Sequence, residues 1–171
     1  MNSLIAYFGA ASLLFLAAAS GSNRNPTTQS RGEPKIAFAM KRDAQYQIYT
    51  MDADGRRQTR LTATAYQERF PVWSPDRKKL LYGSGQIDHW ELWVMNSDGS
   101  SPMRLTSGIV AKSPRSWSPD GRRVFFASNR TGNREIYSIR TDGTQLTNLT
   151  NNAADDDTPS LSPDASRIAF E

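Results

Sequence analysis

Few residues of this chain could do acid–base or nucleophilic chemistry. A single histidine, His89, stands among 171 residues. The sequence places it in a loop between two strands, where its neighbours Asp88 and Trp90 are adjacent in the chain and so supply no triad geometry. No G-x-S-x-G elbow occurs, and Gly83-Ser84-Gly85 reads as a serine between two loop glycines. His89 is therefore read as a surface loop residue. No residue is assigned a catalytic role, and the chain is not expected to be an enzyme.

Metal and cofactor chemistry fare no better. The chain has no cysteine, so disulfides and thiolate zinc sites are excluded. Asp52-Ala53-Asp54-Gly55 begins like a calcium loop, but no glycine at the sixth position and no closing Glu follow. Its counterparts Asn96-Ser97-Asp98-Gly99 and Arg140-Thr141-Asp142-Gly143 keep only the Asp-Gly pair, which is hairpin-turn chemistry. No metal ligand and no cofactor are expected.

Those counterparts point to the feature that organises the chain. Trp73-Ser74-Pro75-Asp76, Trp117-Ser118-Pro119-Asp120 and Leu161-Ser162-Pro163-Asp164 recur 44 residues apart. Asp-Gly at 54, 98 and 142 and Leu-Thr at 61, 105 and 149 keep the same step. A period of this size without helical periodicity is the sequence signature of β-propeller blades. The fold class is all-β, built from blades of four short antiparallel strands. In the unit that starts at Trp117 the strands are expected near Arg115–Ser118, Arg123–Ser128, Glu135–Arg140 and Gln145–Thr150, here called a, b, c and d.

Repeated aromatic residues fall at equivalent strand positions: Phe38, Tyr82, Phe126 and Phe170 in b, and Tyr49, Trp93 and Tyr137 in c. They are read as the packing layers between blades. Leu61, Leu105 and Leu149 anchor strand d. The units run at about 35–72, 73–116 and 117–160, with a partial unit at 161–171.

Ahead of the repeats, Leu4 to Ala19 is uncharged and ends in Ala17-Ala18-Ala19, which reads as a secretory signal peptide over residues 1–20. The run is too short to span a bilayer comfortably, so no stable membrane insertion is expected after cleavage. Residues 21–34 form a polar, proline-containing tether. The net charge of +4, from 21 basic and 17 acidic residues, is dispersed over turn positions such as Lys78-Lys79 and Arg122-Arg123. It makes no nucleic-acid stripe.

The residues that carry the pattern further are Pro71, Trp73 to Asp76, Trp117 to Gly121, Ser128 to Arg130, Gly132, Asn133 and Glu135 to Tyr137, together with the Asp-Gly and Leu-Thr pairs. This pattern resembles the WD40-like repeat of the TolB family of periplasmic propellers, and the resemblance covers Lys35 to Glu171. It implies an exported propeller acting as a protein-binding scaffold, in the periplasm or otherwise secreted, with cell-envelope processes as the setting it would serve. The TolB protein itself carries an α/β domain where this chain has only the tether. Similar blades also occur as the propeller portions of larger peptidases or hydrolases, which is the alternative function.

Residues 35–171 supply about three blades, whereas propellers close with four to eight. The expectation is an incomplete ring, a piece of a propeller with six or more blades, with closure by a homodimer as the other possibility. The segments entering strand a differ between units: Gln67-Glu68-Arg69, Ala111-Lys112-Ser113 and Asp155-Asp156-Asp157. Such variation on a constant scaffold marks Glu68, Arg69, Lys112, Asp156 and Asp157 as candidates for binding a protein partner at the channel mouth.

Overall fold

In this computed structural model the described residues are 35–86, 89–108 and 111–171, the side chains of 111–115 excepted. The expected leader and tether, Asp88 and the Lys112 side chain lie outside them. The described residues are all-β. The first sheet holds β1 (Lys35–Arg42), β2 (Gln45–Asp52) and β3 (Thr59–Arg60), side by side in chain order. The second runs β4 (Gln67–Trp73), β5 (Lys79–Gln86), β6 (His89–Asn96) and β7 (Met103–Arg104). The third repeats that order with β8 (Ala111–Trp117), β9 (Arg123–Ser128), β10 (Glu135–Arg140) and β11 (Thr147–Asn148). The last is the pair β12 (Ser160–Leu161) and β13 (Ile168–Ala169). These sheets are propeller blades in an incomplete ring, so the sequence period is offset from the blade by one strand.

Turn chemistry explains why the period is so strict. Ser74 Oγ donates to Asp76 Oδ1 at 2.7 Å, Asp76 Oδ1 also accepts from Lys78 N at 3.0 Å, and Ser74 Oγ accepts from Lys79 N at 2.9 Å. Ser118 and Asp120 repeat this clasp, as do Ser162 and Asp164. The residue after the Asp takes the left-handed conformation whether or not it is glycine: φ is 60° at Arg77, 69° at Gly121 and 57° at Ala165. A side chain there costs about 1–2 kcal/mol, and the hydrogen-bonded clasp offsets it. In the c–d hairpins Gly55, Gly99 and Gly143 are left-handed, and so are Arg57, Ser101 and Gln145 two positions later. At Gly99, with φ +88°, a Cβ would also lie 2.9 Å from Leu61 O in the neighbouring blade.

Alternation along the central strands gives every blade two apolar faces. One face of the second blade presents Leu80, Tyr82 and Met95 to Ile48, Ala37, Ala39 and Leu61 of the first. Its other face presents Leu81, Leu92 and Val94 to Val124, Phe126, Tyr137 and Ile139 of the third. Phe126 stacks on its cross-strand partner Tyr137 with ring centroids 5.9 Å apart, and Phe38 stacks on Tyr49 at the same distance. Trp117 reaches back to the second blade, its Nε1 donating to Val72 O at 3.2 Å.

Three details depart from the expected layout. The outer strands are only two residues long, because after them the leucine N–H returns to the c strand, as from Leu105 N to Leu92 O at 2.8 Å. The inner strand β4 starts well before the expected position and continues through a bulge between Arg69 and Val72. His89 is no loop residue: it opens β6, paired with Gln86. One aromatic position also leaves the packing layers, since Phe170 is 47% exposed, while Trp93 packs against the layer of Ile48, Leu80, Tyr82 and Met95 and stands half-buried at a cavity wall.

Candidate functional site

Antiparallel order sorts the connections by end. Because a runs away from the d–a loop and b runs back, the d–a loops and the b–c turns share one end of the blades, and the Ser-Pro-Asp and Asp-Gly turns share the other. The repeated turn residues occupy the second end. The candidate partner-binding residues all lie at or beside the first, where each begins or precedes an inner strand.

The side chains at this end are largely engaged within the fold. Glu68 stands opposite Ser84 and shares its face of the sheet, turned toward the first blade. It is 1% exposed. Its Oε1 accepts from Thr64 Oγ1 at 2.5 Å and from Ser84 Oγ at 3.1 Å, while Oε2 is buried without a hydrogen bond. Burial pushes the Glu68 carboxyl from an ordinary 4.5 up to about 7, against the two hydroxyl bonds that pull it down. The guanidinium of half-buried Arg69 lies over the Tyr46 ring of the first blade, 3.8 Å from its centroid, which is a cation–π contact.

At the far side of the array Asp156 is 5% exposed and accepts from Asn152 Nδ2 at 2.7 Å. Asp157 and Asp155 both pair with Arg134, at 3.2 Å and 2.9 Å. Glu68 and Asp156 thus face inward, and Arg69 and Asp157 remain partly accessible. The structure brings these residues to one end of the blades without gathering them into one cluster.

A recurring residue at the start of strand c sets the shape of this end. Gln47, Glu91 and Glu135 hold equivalent places, each directed at the loop that follows strand d. Glu135 accepts from Asn152 N at 2.8 Å and from the Thr150 hydroxyl. Glu91 accepts from Gly108 N at 2.8 Å and from Thr106 Oγ1 at 2.5 Å. Gln47 Oε1 accepts from Thr64 N at 3.1 Å, and its Nε2 donates to Thr64 O and Tyr66 O, both at 3.0 Å. The sequence marked Glu135 and the Leu-Thr threonines only as parts of a pattern. Their equal spacing of 14 to 17 residues was the available sign that they clamp the d–a loop.

Between the first two blades this end opens into a cavity of about 400 Å³. Tyr66, Ser84, His89, Glu91, Trp93 and Arg104 stand in its wall. Sequence reading singled out neither Tyr66 nor Arg104. Among the described residues no three His, Asp or Glu side chains converge as metal ligands would.

Comparison with known proteins agrees with this geometry. The family described as the dipeptidyl peptidase IV (DPP IV) N-terminal region matches residues 66–170. The structure of a putative TolB from Agrobacterium tumefaciens superposes with a TM-score of 0.71 at 30% identity, covering 80% of this chain and 49% of that one. TolB from Acinetobacter baumannii gives 0.66 at 24% identity, with 80% and 35% covered. Dipeptidyl peptidase 4 from Porphyromonas gingivalis gives 0.64 at 16% identity, with 80% and 20% covered. The last two likenesses are of fold alone. The chain spans about half the length of the first of these proteins and less of the others. No curated protein matches the sequence.

Proposed function

Because this chain belongs to the dipeptidyl peptidase IV N-terminal region family, we propose that it serves as a recognition domain, a TolB-like propeller segment of an exported protein that binds a protein partner at its d–a loop end and carries out no chemistry itself. One observation carries the reading. The residues that repeat are spent on turns and packing, whereas those entering each inner strand change from Glu68-Arg69 to Lys112-Ser113 to Asp156-Asp157. Export rests on the uncharged Leu4 to Ala19 run with its Ala-x-Ala end. The TolB resemblance supports a periplasmic location.

Partner capture is tested at Arg69 and Asp157, which remain partly accessible, together with Lys112 of the third blade. Glu68 and Asp156 are unsuitable, because recharging them would report folding. A variant with Arg69→Glu, Lys112→Glu and Asp157→Lys, immobilised beside the wild type and exposed to envelope extract, is expected to retain its partner at least about ten-fold less well. Equal capture by a folded variant would remove the site from this end.

The family match favours a second reading, in which the same blades form the propeller portion of a larger peptidase or hydrolase. Under that reading the partner is the peptidase's own substrate or catalytic domain. A G-x-S-x-G elbow followed by Asp and His, encoded downstream in the same reading frame, would decide for it.

A further inference from the structure

The second blade differs from the third at Trp93, and from both neighbours at Arg104, in ways that its repeat position does not require. In the third blade the counterpart of Trp93 is Tyr137, whose hydroxyl is satisfied by Thr131 Oγ1 at 2.9 Å. Trp93 has no hydrogen-bond partner among the described residues, and its half-buried indole stands in the cavity wall. Arg104, across the strand pair from Trp93 and on its face of the sheet, shows the same contrast. Its counterpart in the first blade, Arg60, donates from Nε to Thr62 O at 2.6 Å. Its counterpart in the third, Asn148, accepts from Thr150 N at 3.3 Å. Arg104 is exposed and bonds to no described residue.

The acceptors of the same wall are already used. Glu91 is held by Thr106 and Gly108, and Ser84 donates its proton to Glu68. What remains unspent at Trp93 and Arg104 is donors: one indole N–H and one guanidinium. Tyr66 adds a second aromatic ring to the wall beside Trp93. The Tyr66 side chain is 53% exposed, while its backbone is fixed from both sides, N bonded to Thr64 Oγ1 and O to Gln47 Nε2. A planar fork of donors beside aromatic walls recognises a carboxylate attached to an apolar body.

We propose that the cavity between the first two blades binds an organic carboxylate bearing an aromatic or apolar group, with Arg104 and the Trp93 indole N–H holding the oxygens and Tyr66 and the Trp93 ring flanking the body. This site is separate from the proposed capture of a protein partner through Arg69, Lys112 and Asp157, and it stands if that capture fails. Two sources present this chemistry, a free small acid and the C-terminus of a peptide that ends in an aromatic residue.

Calorimetric titration of the full chain with 3-phenylpropionate and with N-acetyl-Gly-Phe, each beside its amide, tests the proposal. The carboxylates are expected to bind about ten-fold or more tightly than the amides, because a charge-assisted bond is lost in each amide. Arg104→Gln should erase that preference. Trp93→Phe, which keeps a ring but removes the donor, should weaken both carboxylates several-fold. Arg60→Gln, at the tied counterpart in the first blade, should leave binding unchanged. Preference for the peptide identifies a peptide terminus as the natural source, and preference for the free acid identifies a small molecule; either supports the site. Equal binding of acids and amides, no effect of Arg104→Gln in a variant with wild-type circular dichroism, or no heat with either acid at roughly 10 mM would overturn it.

Discussion

Phe126→Ala is expected to lower the unfolding free energy by about 3–5 kcal/mol, read as a fall in the urea midpoint at unchanged slope. Phe126 is 0% exposed and sits where two kinds of packing meet. Within its blade it stacks on Tyr137. Across the blade boundary it belongs to the layer with Leu81, Leu92 and Val94. In a linear array each unit is stabilised chiefly by its neighbours, so a cavity in that layer weakens the third blade and its grip on the second together. A midpoint change worth less than about 1 kcal/mol would mean that the blades do not depend on this interface.

The second large effect concerns Glu68. Its carboxyl is held at about 7 in the folded chain against an ordinary 4.5, so between those values the folded state binds more protons than the unfolded one. Stability then falls as pH rises through this window, and the full cost is present above about 7. The shift corresponds to an upper limit of about 3 kcal/mol. Glu68→Gln removes the titration while keeping a side chain of the same shape, so the stability difference between variant and wild type should move by up to that amount from about pH 4.5 to about pH 7.5, in favour of the variant at the upper end.

The turn carboxylates act in a separate, lower window. Hydroxyl bonds from Ser74, Ser100, Ser118 and Thr144 hold Asp76, Asp98, Asp120 and Asp142 below their ordinary value, and Ser162 together with Ser166 brings Asp164 to about 2. Their contribution is present above the ordinary carboxylate range and is lost as pH falls through the folded values. Wild-type stability should accordingly peak near pH 4.5. A flat difference between wild type and Glu68→Gln across the upper window would contradict the buried, unpaired state of Oε2.

Much of the fold is legible in the sequence because its signals are local. Ser-Pro-Asp and Asp-Gly turns state where hairpins close, and strands b and c of the third blade, Arg123–Ser128 and Glu135–Arg140, lie where the alternation of large apolar residues puts them. Strand d was harder. Leu149 reads as an anchor like Leu105, but the short pair β12–β13 leaves it 42% exposed, while Leu105 is covered by a full blade. That difference comes from the neighbouring blade, and no local pattern carries it.

The candidate site is less legible for a related reason. Variation between units drew attention to the segments entering strand a, yet it could not say which side chains turn inward. Glu68 does, because it is paired with Ser84 on the face toward the first blade. Trp93 fits the aromatic register and reads as packing. Its position at a cavity emerges only when Tyr66, from a loop 27 residues earlier in the chain, comes to lie in the same wall. Arg104 carried no signal of its own beyond standing where Arg60 and Asn148 are tied down.

The central claim is that recognition belongs to the d–a loop end and the repeated residues to the fold. Site-specific photo-crosslinking tests it most directly, with the reactive group placed at exposed Ala65 or Ala154 in the d–a loops, or at exposed Arg122 or Asp142 in turns at the opposite end. In envelope extract, Ala65 and Ala154 are predicted to trap one common partner and Arg122 and Asp142 none. Trapping of that partner from the turn end, or equally from both ends, would contradict the account.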